Sequence, residues 1–158
     1  MDNSAITGGT IKVRNRDIPL LSSIFLIMQD VCLLERQREW QKDRMLSITQ
    51  HLTGMPGGGG LPKGLEETFS KLSEIDAELV SKYQDYVHQL REAQKILNSI
   101  ENHTIKTFVS MRYIMSIPDA RIRQDLNMTR RCFDRACRAV EEAPNMASVK
   151  WHDKYVIS

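Results

Sequence analysis

Aromatic residues are scarce in this chain, at 6% of the total, and glycine is sparse outside one short run. A β-sandwich or barrel draws on both, for strand faces and for turns, so the shortage argues against either. Net charge is small, +2 at neutral pH. Global charge therefore does not announce a nucleic-acid binder, and any electrostatic footprint must be local. Cysteine is limited to Cys32, Cys132 and Cys137. That odd count reads as free thiols in a reducing, cytoplasmic compartment. Long apolar runs are missing as well. "IPLLSSIFLIM" is about half the length a bilayer requires, and "MDNSAITGGTIKVRNRD" has no apolar core, so it is not expected to be a secretion signal.

What is present favours helix. The chain has 158 residues, of which 27% are charged and 41% hydrophobic. That suits one ordinary soluble domain or two small modules. Helix formers dominate, and the expected fold class is all-α. Residues 1–17 show no periodicity and read as a flexible arm, basic near Lys12, Arg14 and Arg16. From Ile18, with Pro19 tolerated in the first turn, apolar residues recur at Leu21, Ile24, Phe25, Met28, Val31 and Cys32. The pattern weakens through the charged "ERQREWQKDR" and runs to about Thr53, as one long helix or two in sequence. "TGMPGGGGLPKG" (53–64) stops it, because four glycines between two prolines cannot continue a helix.

A second long helix is expected from Leu65. Its apolar residues step by 4 and 3: Leu65, Phe69, Leu72, Leu79, Tyr83, Tyr86, Leu90, Ala93, Leu97 and Ile100. Asp76 stands at one seam position, next to Ile75. Such a heptad seam is the signature of a coiled coil. Residues 18–100 are thus expected to form an antiparallel helical hairpin, with the seam also available for a homo-oligomer, a dimer first among them. "NSIENHT" breaks the pattern, and residues 103–143 divide into shorter helices. Ile105, Phe108, Val109 and Met111 mark one. Pro118 and Asp119 open the next, with Ile122 and Leu126 buried. Asn127 can take the left-handed conformation of a sharp turn, Met128 plugs that turn, and Thr129 is a suitable N-cap. This is the layout of a helix-turn-helix. Residues 144–158 form a tail in which Trp151, Tyr155, Val156 and Ile157 are candidates to dock back or meet a partner.

In the last helix Phe133, Ala136, Cys137 and Val140 share one face. At about 100° per residue, Arg131, Arg135 and Arg138 fall in a narrow sector nearly opposite, with Arg130 and Asp134 on a flank. Arginine's planar fork can pair with guanine or clamp a phosphate. The plainer alternative is a solvated amphipathic face, and the preceding turn and cap favour the DNA reading. Cys132 and Cys137 point about 140° apart on a helix and make a poor metal pair. His51, His88, His103 and His152 show no ligand spacing. No nucleophile elbow, P-loop or paired-carboxylate pattern appears, and "GGGG" lacks the Lys-Ser/Thr of a phosphate loop. No enzyme activity, cofactor or metal is expected.

"MRYIMSIPDARIRQDLNMTRRCFDRACRAV" (111–140) resembles the region-four helix-turn-helix of bacterial sigma factors. "LTGMPGGGG" (52–60), followed by a heptad helix, resembles small regulators encoded by phages and prophages of Gram-positive bacteria. Those proteins pair an N-terminal helical hairpin with a sigma-like C-terminal helix-turn-helix. The resemblance implies a transcriptional regulator that binds double-stranded DNA in the cytoplasm of a bacterial host. It implies DNA-facing roles for Thr129, Arg130, Arg131, Asp134, Arg135 and Arg138, and a helix-turn-helix core of Ile122, Leu126, Met128 and Phe133. Arg123 stands where the family has a small residue, so it must snorkel outward or hold the helices apart. Phe69, Leu72, Leu79, Tyr83, Tyr86, Leu90 and Leu97 are the expected oligomer seam. Two rival expectations remain: a module that binds a host protein, RNA polymerase or a defence component, and a small subunit of a phage DNA-packaging machine.

Overall fold

The computed structural model describes residues 13–51, 60 and 62–153. The expected linker at 53–64 lies mostly outside the described residues, as do Tyr155, Val156 and Ile157. The chain is all-α, and the described residues contain no strand. Two compact units divide the described residues: those within 20–94 form one, and those within 13–19 and 95–153 form the other.

The first unit holds two long helices, α1 (Ile18–Gln50) and α2 (Leu65–Asn98). α1 is one unbroken helix. α2 begins after Gly64, whose φ of +95° is a conformation that side chains with a Cβ rarely adopt. The helices run antiparallel. Asp30 near the start of α1 takes Lys82 of α2 at 3.1 Å. Further along α1, Arg38 takes Asp76 at 2.5 Å. Between the helices Val31, Leu34 and Leu79 are buried together, with Ile27 and Ile75 packed against them.

The expected seam on α2 splits. Leu79 is buried, and Leu72, Tyr86 and Leu97 are half-buried. Phe69, Tyr83 and Leu90 stay exposed, at 62%, 43% and 37%. Asp76 supplies the reason. Centring that stripe on α1 would bury a carboxylate, at a cost of several kcal/mol by the order of magnitude for buried ions. Ile75 packs inward instead, and Asp76 meets Arg38 at the edge.

The apolar part of α1 is longer than "IPLLSSIFLIM" suggests. Extended by Val31, Cys32, Leu33 and Leu34, an 18-residue window is apolar enough to cross a membrane by length and composition alone. Yet Val31 and Leu34 pack on Leu79 of α2, and the Asp30 carboxylate within the helix is ion-paired to Lys82.

The second unit gathers short elements around a dense core. They are α3 (His103–Val109), a π-helical turn (Ser110–Ile114), α4 (Asp119–Asp125), α5 (Arg130–Glu142) and a closing 3-10 turn (Met146–Ser148). Asn102 caps α3 by accepting the Ile105 N–H at 3.1 Å. Ile105, Phe108, Val109, Ile122, Ala136, Val140 and Met146 are fully buried. Phe108 meets Phe133 edge to face, ring centres 5.5 Å apart.

Residues 14–17, expected as the end of a free arm, are docked in this unit. An α-helix ends with carbonyls that lack intrahelical partners. Here Val140 O accepts Asn15 Nδ2 at 2.8 Å, and Glu141 O accepts the Arg14 N–H at 2.9 Å. Asp17 accepts the Met146 N–H at 2.9 Å. Asn15 is only 2% exposed.

Candidate nucleic-acid interface

α4 and α5 are joined by Leu126–Thr129. Asn127 has φ +49°, the left-handed conformation that an Asn tolerates better than most residues. Three backbone bonds close the turn: Leu126 N–H to Ile122 O at 3.0 Å, Asn127 N–H to Gln124 O at 3.3 Å and Met128 N–H to Arg123 O at 2.8 Å. Met128 is buried beneath it. The Thr129 side chain accepts the Cys132 N–H at 3.1 Å, which starts α5.

Of the four expected core residues, Ile122, Met128 and Phe133 are buried and Leu126 is half-buried. Arg123 is half-buried while its neighbour Ile122 is fully buried. The Arg123 carbonyl accepts the Met128 N–H, so the turn forms with an arginine at this position.

α5 is strongly two-sided. Cys132, Phe133, Ala136 and Val140 are buried on one side. Thr129, Arg130, Arg131, Asp134, Arg135 and Arg138 are all exposed. The structure thus brings Arg130, Arg131, Asp134, Arg135 and Arg138 onto the solvent side of one helix, with Thr129 at its N-cap. Cys137 lies half-buried at the boundary, and burial pushes its thiol up to about 11. Cys132, buried, is raised for the same reason.

The fit of α5 in its unit depends on a residue that sequence reasoning passed over. Arg112, in the π-helical turn, reaches Asp119 of α4 at 2.5 Å. It stacks over Phe133 of α5 at 5.3 Å and over Tyr113 at 5.7 Å. Tyr113 in turn donates to Glu141 at 3.3 Å, and burial, then Glu141, raise its phenol well above the usual range. One guanidinium thus ties the turn before α4 to both helices that follow. The π-helical geometry belongs to this arrangement. Met115 N–H reaches back to Ser110 O at 2.9 Å, and Ser116 leaves the turn with φ +51°. The signal available in the sequence was the "MRY" at 111–113, noted only as part of a motif. Asn15 had no signal beyond its place among charged neighbours.

Among the described residues no group of His, Cys, Asp and Glu could hold a metal ion. Residues 46–145 match the model of the family described as Protein of unknown function (DUF1492). The chain belongs to that family. No curated protein and no solved structure matches it significantly. The DUF1492 stretch runs from the end of α1 through α5, so it includes α2, the helix-turn-helix and its arginine face in full. The apolar first half of α1 and the docked residues 14–17 lie outside it.

Proposed function

We propose that the chain is a non-enzymatic, sequence-specific regulator. In this reading it binds double-stranded DNA through α5 and works as a homo-oligomer through its hairpin. One observation carries the reading. Arg131, Arg135 and Arg138 stand exposed on a helix whose opposite side is locked into a core, after a turn of helix-turn-helix form. Such a helix can enter a major groove as a rigid body. Phosphate contacts would supply affinity and salt dependence, and arginine forks on guanine edges would supply sequence preference. The resemblance to sigma region four and to phage-encoded regulators supplies the finer reading. It is control of phage transcription in a bacterial cytoplasm, with host RNA polymerase as a further partner.

The test is a gel shift on DNA selected by the full chain from a random pool. Arg131→Ala with Arg135→Ala is expected to weaken binding by about tenfold or more, with helicity by circular dichroism unchanged. Equal binding by the variant and the parent would remove α5 as the reading helix. A second reading, a module that binds a host protein, is favoured by the exposed apolar residues of α2. A heparin column with a salt gradient separates the two, since the DNA reading needs late elution.

A further inference from the structure

The two ends of α5 differ in what they offer a phosphate backbone. Its solvent side carries Arg131, Arg135 and Arg138, then ends on an exposed carboxylate. At about 100° per residue, Glu142 falls roughly 40° from Arg138. The last turn of a helix also carries partial negative charge on its unpaired carbonyls. By itself, this end of α5 disfavours phosphate.

Residues 14–16 lie across that end. The Arg14 and Asn15 N–H groups reach Glu141 O at 2.9 and 3.3 Å, and the Arg16 N–H reaches Pro144 O at 3.2 Å. Asn15 is the anchor. Its Nδ2 donates to Val140 O at 2.8 Å and meets Met146 Sδ at 3.4 Å, while its Oδ1 accepts the Asp17 N–H at 3.0 Å. With Asn15 buried between them, Arg14 and Arg16 are both exposed. Their side chains form no ion pair among the described residues, whereas Arg38, Arg112 and Arg121 all do. The bonds that hold the segment come from its backbone, Asn15 and Asp17, so docking does not call for two arginines.

We propose that Arg14 and Arg16 are phosphate-binding residues that carry the DNA interface past the C-terminal end of α5. This rests on the DNA reading above. The two guanidiniums turn a repelling end into an attracting one, about one turn, or roughly 5 Å, beyond Arg138. Double-stranded DNA presents one phosphate charge per about 1.7 Å of its axis, so an interface lengthened by a turn has phosphates to meet. The backbone that bears the pair is fixed before DNA arrives, so little of it has to be ordered on binding. Phosphate contacts position a protein on the duplex but carry no sequence information. Arg14 and Arg16 therefore add affinity and salt dependence, and leave specificity to α5.

The experiment measures binding of the full chain to its selected DNA over a range of salt concentrations. Arg14→Gln with Arg16→Gln is expected to bind roughly tenfold or more weakly at about 0.1 M salt, and to flatten the slope of log K against log salt by about 1 to 2. Preference for the selected over a scrambled sequence is expected to stay, as is the melting midpoint. Arg14→Lys with Arg16→Lys is expected to restore the slope. Arg36→Gln with Arg91→Gln, two exposed cations of the hairpin, controls for net charge and is expected to leave the slope unchanged. An unchanged slope in the Arg14 and Arg16 variant, or an equal fall in the hairpin variant, overturns the proposal. So does a lower melting midpoint at unchanged slope, which makes the pair partners of the helix end rather than of DNA. A second measurement uses the parent chain: bound DNA is expected to shield Arg14 and Arg16 from phenylglyoxal, an arginine-modifying reagent. Equal modification with and without DNA overturns the proposal even where a variant fails to fold. A parent chain that binds no DNA removes the DNA reading itself, whereas a parent that binds as well as its Arg14 and Arg16 variant removes only this extension.

Discussion

The hairpin and the C-terminal unit use similar residues to opposite effect. The C-terminal unit wraps short helices round Phe108, and seven of its hydrophobic side chains have essentially no exposure. The hairpin buries Val31, Leu34 and Leu79 together, yet leaves Leu26, Leu33, Trp40, Phe69, Val80 and Val87 in the open. The cause is geometric. Two long antiparallel cylinders touch along a line, so each covers one stripe of the other. Short elements that cross at angles can enclose a centre. A self-contained core and a core that asks for a neighbour are therefore both made from the same kind of heptad and amphipathic pattern.

That contrast can be broken first at Phe133. Its ring is buried against Phe108 and beneath Arg112. Phe133→Ala is expected to destabilise the C-terminal unit by about 3–5 kcal/mol. In denaturant titration the signal of Trp151, buried in this unit, should fall before most of the helical signal is lost. A single coincident transition would show that the two units do not unfold separately.

Asn15 comes next. Asn15→Ala removes the donor to Val140 O and the acceptor of the Asp17 N–H at 3.0 Å. It leaves a buried helix-end carbonyl without that partner, worth about 1–3 kcal/mol. The fall in the denaturant midpoint should appear in the Trp151 signal.

The smallest effect has the opposite sign and lies in the hairpin. Gln41 is 7% exposed, and its Oε1 has no hydrogen-bond partner among the described residues. Gln41→Leu is expected to stabilise the hairpin by about 1 kcal/mol, since an unsatisfied buried polar group is removed. Thermal melting checks this, and a fall in midpoint would mean that Gln41 has a partner in solution.

Much of the fold was legible before any coordinates. Pro19 and Asp17 marked the start of α1, and Leu65 the start of α2. Asn127, Met128 and Thr129 were legible as turn, plug and cap, because each has one strong local preference and its neighbours do not oppose it. The arginine face of α5 followed from spacing alone. The docking of Asn15 was not legible, because its partners stand 125 and 131 residues away. The role of Arg112 was hidden for a similar reason. It contacts three elements, and only one of them is its own.

The sequence by itself determined where helices begin and end, and which side of each is apolar, since those follow from local propensity and a short period. Which stripe of α2 meets α1, and which is left over, was decided only in three dimensions. The heptad at 65–100 admits two neighbouring stripes with nearly equal apolar content. The balance fell to one carboxylate, Asp76, which is cheaper at the edge beside Arg38 than in the seam.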